Sequence, residues 1–109
     1  MTAKLAKTDV FKALSDPTRR EILNLLRKNP HPVNDLAHAF TVSRPAISKH
    51  LRILRSSHLV RERIQGRTHF YELNPAPLRD VDHWLDQYRS HWRKSLKNLK
   101  NYVESEKPK

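Results

Sequence analysis

Between Ser43 and Arg55 the chain reads Ser-Arg-Pro-Ala-Ile-Ser-Lys-His-Leu-Arg-Ile-Leu-Arg, with polar and apolar members recurring every three or four residues. At the 100° step of an α-helix, Ile47, Leu51 and Leu54 share one face. Arg44, Pro45, Ser48, Lys49, Arg52 and Arg55 fall largely on the opposite one. Guanidiniums on such a face suit bidentate contact with guanine O6 and N7. Ser48 and Lys49 suit bases or phosphates, and the start of the helix offers free amides to a phosphate. Ser43 and Arg44, at that end, are the residues expected to reach base edges. Further along, Arg61, Arg63 and Arg67 flank Gly66 with only Glu62 opposing them. That cluster suits a phosphate backbone, or the insertion of Arg67 into a minor groove.

Other chemistry finds little support. The absence of cysteine removes disulfides, thiolate metal sites and cysteine nucleophiles, and a single glycine cannot build the glycine-rich loops that cradle nucleotides. No Ser/His/Asp set can be located with nucleophile, base and orienter in reach, and His69, beside Tyr71 on a candidate strand, is explained by pairing within a hairpin. His83 with Asp80 or Asp86 is a one-turn pair of the kind usually found as an exposed ion pair, and His91 stands apart from it. No enzyme activity, metal or cofactor is therefore expected.

Charge points the same way. The 109 residues carry 22 Lys and Arg against 11 Asp and Glu, a formal charge of +11. Residues 43–69 hold seven of the basic residues and one acid, so about a quarter of the length carries over half of the net charge. A uniformly solubilising surface would not need that concentration, and a polyanionic partner would. For individual residues the bland reading stands beside the functional one: Arg55, Arg61 and His50 are equally well explained by packing or solvation. No run of apolar residues exceeds two, which argues against a membrane span or a secretory signal, and a cytoplasmic location is expected.

The elements that must position these groups follow from the apolar pattern. Ala3, Ala6, Val10, Ala13 and Leu14 predict a first helix ending before Asp16-Pro17. Asp16 can cap a second helix, with Pro17 in its first turn and Ile22, Leu23, Leu25 and Leu26 as its apolar face, running to about Arg27. Lys28 to Pro32 breaks the pattern through its two prolines. Val33, Leu36, Ala37 and Phe40 predict a short helix, Thr41 to Ser43 a tight connection, and Ile47, Leu51 and Leu54 the next helix, capped by Ser43 with Pro45 in its first turn. Leu59–Ile64 and Thr68–Leu73 read as a β-hairpin around Gln65-Gly66-Arg67.

From Pro75 to Ser105 a long helix keeps a heptad: Leu78, Leu85, Trp92 and Leu99 at one position, Val81, Tyr88, Ser95 and Tyr102 at the other. Such a helix, roughly 45 Å long, exceeds what a core of this size can cover, so part of its stripe should meet a second chain. Mainly helical, with five helices and a two-stranded wing, residues 1–109 are expected to form one winged helix-turn-helix domain.

The chain resembles the ArsR/SmtB-type winged-helix repressors of prokaryotes over most of its length. The likeness rests on residues 11–23 (Phe-Lys-Ala-Leu-Ser-Asp-Pro-Thr-Arg-Arg-Glu-Ile-Leu), on residues 43–54, and on Gly66-Arg67-Thr68-His69-Phe70-Tyr71. The resemblance implies a homodimer joined by its first and last helices, two recognition helices and two wings on an operator with dyad symmetry. Val10, Leu78, Val81, Leu85, Tyr88, Trp92 and Leu99 are the expected interface. Departures from the metal-sensing members are plain. Pro32 and Asn34 stand where one sensor type has cysteines flanking a valine, and Asp80, Asp82, His83, Asp86 and His91 lack the spacing of the ligands on the last helix of another. The Trp84 to Tyr102 stretch looks like a metal-free branch often assumed to regulate neighbouring genes. A sequence-specific repressor that binds double-stranded DNA at an inverted repeat, with its own promoter among the candidate targets, is the leading expectation. A non-specific architectural DNA-binding protein and a basic module docking RNA or an acidic protein are the alternatives. No residue names a small-molecule inducer.

Overall fold

The computed structural model describes residues 9–106. Among them are five helices, α1 (Val10–Leu14), α2 (Pro17–Lys28), α3 (Val33–Ala39), α4 (Arg44–Ser56) and α5 (Leu78–Ser105), and three strands, β1 (His31–Pro32), β2 (Val60–Gln65) and β3 (Thr68–Leu73). The chain divides into two compact units after Arg79. Ala3 and Ala6, expected to begin the first helix, lie outside the described residues.

Three helix starts are capped by side chains. The side chains of Asp9, Asp16 and Ser43 accept from the amides of Phe11, Arg19 and Ala46, and Pro17 and Pro45 occupy first-turn positions where a missing donor costs little. The helices bury their stripes against one another. Ile22 from α2, Leu36 from α3, Ile47, Leu51 and Leu54 from α4, and Leu59 just before β2 are the largest fully buried side chains. Helices α3 and α4, joined by the short turn at residues 40–43, form the helix-turn-helix, and the hairpin β2–β3 follows as the wing.

The wing hairpin belongs to a three-stranded sheet in the order β1-β3-β2, so the two expected strands are joined by a third, β1. His31 pairs with Tyr71 and Pro32 with Phe70. The prolines that end α2 were expected only to break structure. An edge strand, however, has one side free of ladder bonds and accepts a proline there. Register across the hairpin runs from Val60↔Leu73 to Gln65↔Thr68, leaving Gly66 and Arg67 as a two-residue turn. Gly66 has φ +64°, and positive φ confined to the first central residue is the pattern of a type II′ turn.

The end of α4 was not legible beforehand. The Leu59 amide donates to the Leu54 carbonyl at 3.0 Å and the His58 amide to Arg55 at 3.0 Å, the paired bonds of a Schellman motif, with Leu54 and Leu59 supplying its apolar contact. His58 takes the left-handed position at φ 64°, where glycine is the usual occupant. His58→Gly is accordingly expected to stabilise the fold by about 1 kcal/mol, less the added freedom of the unfolded chain. Urea unfolding checks this, and an unchanged midpoint would mean that the left-handed backbone carries no strain.

Helix α5, 28 residues and about 42 Å long, keeps its heptad pattern without a break. Leu78, Val81 and Leu85 are half-buried, whereas Trp84, Tyr88, Trp92, Leu96, Leu99, Tyr102 and Val103 are exposed. The Trp84 and Tyr88 rings lie 5.0 Å apart, tilted by 57°. Arg89 bonds to both Asp82 and Asp86. No described helix is long and apolar enough to cross a membrane.

Candidate nucleic-acid interface

Burial of Ile47, Leu51 and Leu54 fixes how α4 is rolled, and the opposite face carries Arg44, Pro45, Lys49 and Arg52, all exposed. Ser48 is half-buried on its flank. Ser43 caps the helix, accepting from the Ala46 amide at 3.3 Å, and remains exposed. The recognition face thus begins at a capped helix start that carries the Arg44 guanidinium.

The wing closes one side of this face. Strand pairing puts Glu62, His69 and Tyr71 on a common side of the sheet, and Glu62 accepts from Tyr71 Oη at 3.5 Å and meets His69 Nδ1 at 2.6 Å. Arg55 reaches across from α4 to Glu62 at 3.4 Å. The acid that opposes the basic cluster is therefore tied into a cross-link between recognition helix and wing. The His69 hydrogen bond draws the Glu62 carboxyl down, burial pushes it up, and the charge of Arg55 lowers it further, leaving it below the usual carboxylate range. Burial, then the charge of Glu62, pushes the Tyr71 phenol up.

Between α4 and the wing lies a cleft of about 430 Å³, lined by Arg44 and Ser48 from α4, Arg67, Thr68 and His69 from the wing, and Asn34 from α3. Two guanidiniums, an amide and two hydroxyls around one opening can donate to the oxygens of a phosphodiester.

Not every residue singled out in the sequence joins this site. Arg63 stands on the sheet face opposite Glu62, its guanidinium carbon 5.9 Å from the centre of the Phe70 ring. Arg55 is exposed but engaged by Glu62. His50 turns inward, with Nδ1 3.3 Å from Arg19 and 3.9 Å from Asp16. On α1, Val10 is buried within the chain at 7% exposure. On α5, His83 Nδ1 is 4.0 Å from Asp86, whose carboxylate also serves Arg89. Asn34, Thr68 and His69 were missed as cleft residues. The period-two pattern of the hairpin would have assigned His69 to the helix-facing side, whereas Asn34, on α3, meets the cleft only through tertiary packing.

A depressed carboxylate stabilises the fold above its unfolded-state pKa, and that contribution is lost as pH falls through the folded-state value. Glu62→Gln is therefore expected to lower stability by roughly 1 kcal/mol at neutral pH, the gap from wild type closing below about pH 4. Urea unfolding across pH 3–7 measures it, and a gap independent of pH would exclude the ionic origin.

Helix-turn-helix, wing and cationic recognition face together define a winged helix-turn-helix transcriptional regulator. Residues 16–62 match the family model described as bacterial regulatory protein, arsR family. The chain is 42% identical over 77 residues to the transcriptional repressor SdpR of Bacillus subtilis (strain 168), covering 71% of this chain and 86% of that protein. It is 36% identical over 96 residues to the HTH-type transcriptional regulator Rv2034 of Mycobacterium tuberculosis, covering 88% and 87%. The solved ArsR-like transcriptional regulator from Rhodococcus sp. RHA1 matches with a TM-score of 0.71 at 36% identity over 91% of each chain. The protein belongs to the arsR family of ArsR/SmtB-type transcriptional repressors.

Proposed function

We propose that the protein is a cytoplasmic, sequence-specific repressor that binds double-stranded DNA as a homodimer at an inverted repeat, with its own promoter as one candidate target. The observation that carries this reading is the exposed face of α4, bearing Arg44, Lys49 and Arg52, beside a wing whose opposing acid, Glu62, is already paired. Arg44 and Ser43 read base edges at the helix start. Ser48, Lys49 and Arg52 divide between bases and phosphates, and Arg67 follows the backbone or enters the minor groove. Arg63, on the outer sheet face, and Arg55, tied to Glu62, contribute long-range charge. The full chain acts as one functional unit in which Leu78, Val81, Leu85, Tyr88, Trp92 and Leu99 meet the same residues of a second copy. Val10, expected at the same interface, is buried within its own chain.

Selection of bound fragments from random duplex DNA tests the reading. Enrichment of a dyad-symmetric sequence with half-sites about 10 base pairs apart, or a multiple of that, is expected. Recovery of unenriched DNA would favour an architectural role instead.

A further inference from the structure

His50 lies on the recognition helix, yet its ring belongs to an internal node. Nδ1 is 3.3 Å from Arg19 Nη1 and 3.9 Å from the Asp16 carboxylate. The buried Arg19 is otherwise committed: Nε donates to the Ala13 carbonyl at 2.7 Å and Nη2 to that of Lys12 at 3.2 Å. One guanidinium thus joins the last carbonyls of α1, the first turn of α2 and the middle of α4.

The chemistry of the node makes its two arrangements exclusive. A guanidinium only donates, so the Nδ1 that faces it accepts, and the ring hydrogen sits on Nε2. A proton added at Nδ1 removes that lone pair and sets His50 and Arg19 as like charges. Asp16 then becomes the favourable partner. Among the described residues, Arg19 in the first turn of α2 and Asp16, its N-cap, are the charged groups within ion-pair reach of the ring. Its same-face neighbours on α4, Ala46, Ile47, Ile53 and Leu54, carry no charge, and α1 brings the carbonyls of Lys12 and Ala13. Asp16 is available as a carboxylate: burial pushes it up, but the Arg19 amide, His50 and the charge of Arg19 together hold it below its ordinary value.

We propose that His50 is a positioning residue of the recognition helix that exchanges Arg19 for Asp16 when its ring gains a proton, altering how α4 docks on the α1–α2 corner and so how sharply the protein discriminates between DNA sequences. The inference rests on the DNA-binding reading above. It differs from a direct contact in its signature. A histidine touching phosphate strengthens binding to every duplex when it protonates, whereas a positioning histidine changes the ratio between selected and random duplex.

The test compares wild type with His50→Asn, whose amide oxygen takes the place of Nδ1 and can still accept from Arg19 but cannot gain a proton. Affinities for the selected duplex and for a random duplex are measured from pH 5.5 to 8. The wild-type ratio is expected to fall roughly tenfold between pH 7.5 and 5.5, while His50→Asn holds its neutral-pH ratio throughout. A ratio that falls equally in both proteins, or a variant that loses affinity equally for both duplexes, overturns the proposal.

A second measurement needs no DNA. In a denaturant double-mutant cycle of His50→Asn and Asp16→Asn, the His50–Asp16 coupling should be larger at pH 5.5 than at pH 7.5. Equal coupling at both overturns the exchange. If wild type prefers no duplex, the DNA reading fails by itself and the cycle still decides whether the partners exchange.

Discussion

Trp92→Glu combined with Leu99→Glu is expected to make the protein monomeric at micromolar concentration and to lower its affinity for the selected duplex by about a hundred- to ten-thousandfold. Both side chains occupy one heptad position of α5, and both are more than half exposed in a single chain. Around Leu99, together with Leu96 and Val103, the helix surface forms an apolar depression of about 470 Å³. An apolar stripe of this size on a repressor helix is normally covered, and its seven-residue repeat is the pattern by which one helix packs on another. Linking two recognition helices makes the second half-site encounter intramolecular, and carboxylates in the seam remove that advantage without touching α4. Sedimentation equilibrium and duplex titration read the two effects together. A dimer that survives both substitutions, or operator affinity within about threefold of wild type, contradicts this use of α5.

The second large effect concerns readout. Arg44→Ala should weaken binding to the selected duplex by roughly 1–3 kcal/mol, about 5- to 150-fold, and relax preference at particular base pairs. Arg67→Ala should instead weaken selected and random duplexes by similar factors. The difference follows from position: Arg44 sits at the exposed start of the recognition helix, Arg67 at the tip of the wing turn. Equal losses for Arg44→Ala on selected and scrambled duplexes would assign it to the backbone.

Much of this was legible in the amino-acid pattern because the helices announce themselves twice, by apolar spacing and by their caps. Asp16-Pro17 and Ser43 through Pro45 mark helix starts that the structure reproduces. The Gly66 turn was legible for the same reason, since one residue type fits one backbone conformation. What escaped detection depends on tertiary pairing. Strand β1 is two residues long and contains a proline, so it has no periodicity of its own and exists because β3 offers it an edge. Left-handed His58 is invisible because histidine is a poor occupant of that position, tolerated here within the Schellman bonds. Nothing in the local pattern sets Arg19 apart from the other cations of a basic chain. Its burial comes from three helices converging on a single side chain, which local sequence does not encode.

The claim on which the rest depends is paired recognition of a particular duplex. Competition titration of the selected duplex against its scrambled version at physiological salt, with stoichiometry followed in the same experiment, tests it most directly. Two chains per duplex and a preference of at least about a thousandfold are the predicted result. Equal affinity for both sequences, or saturation by one chain per site, would contradict it.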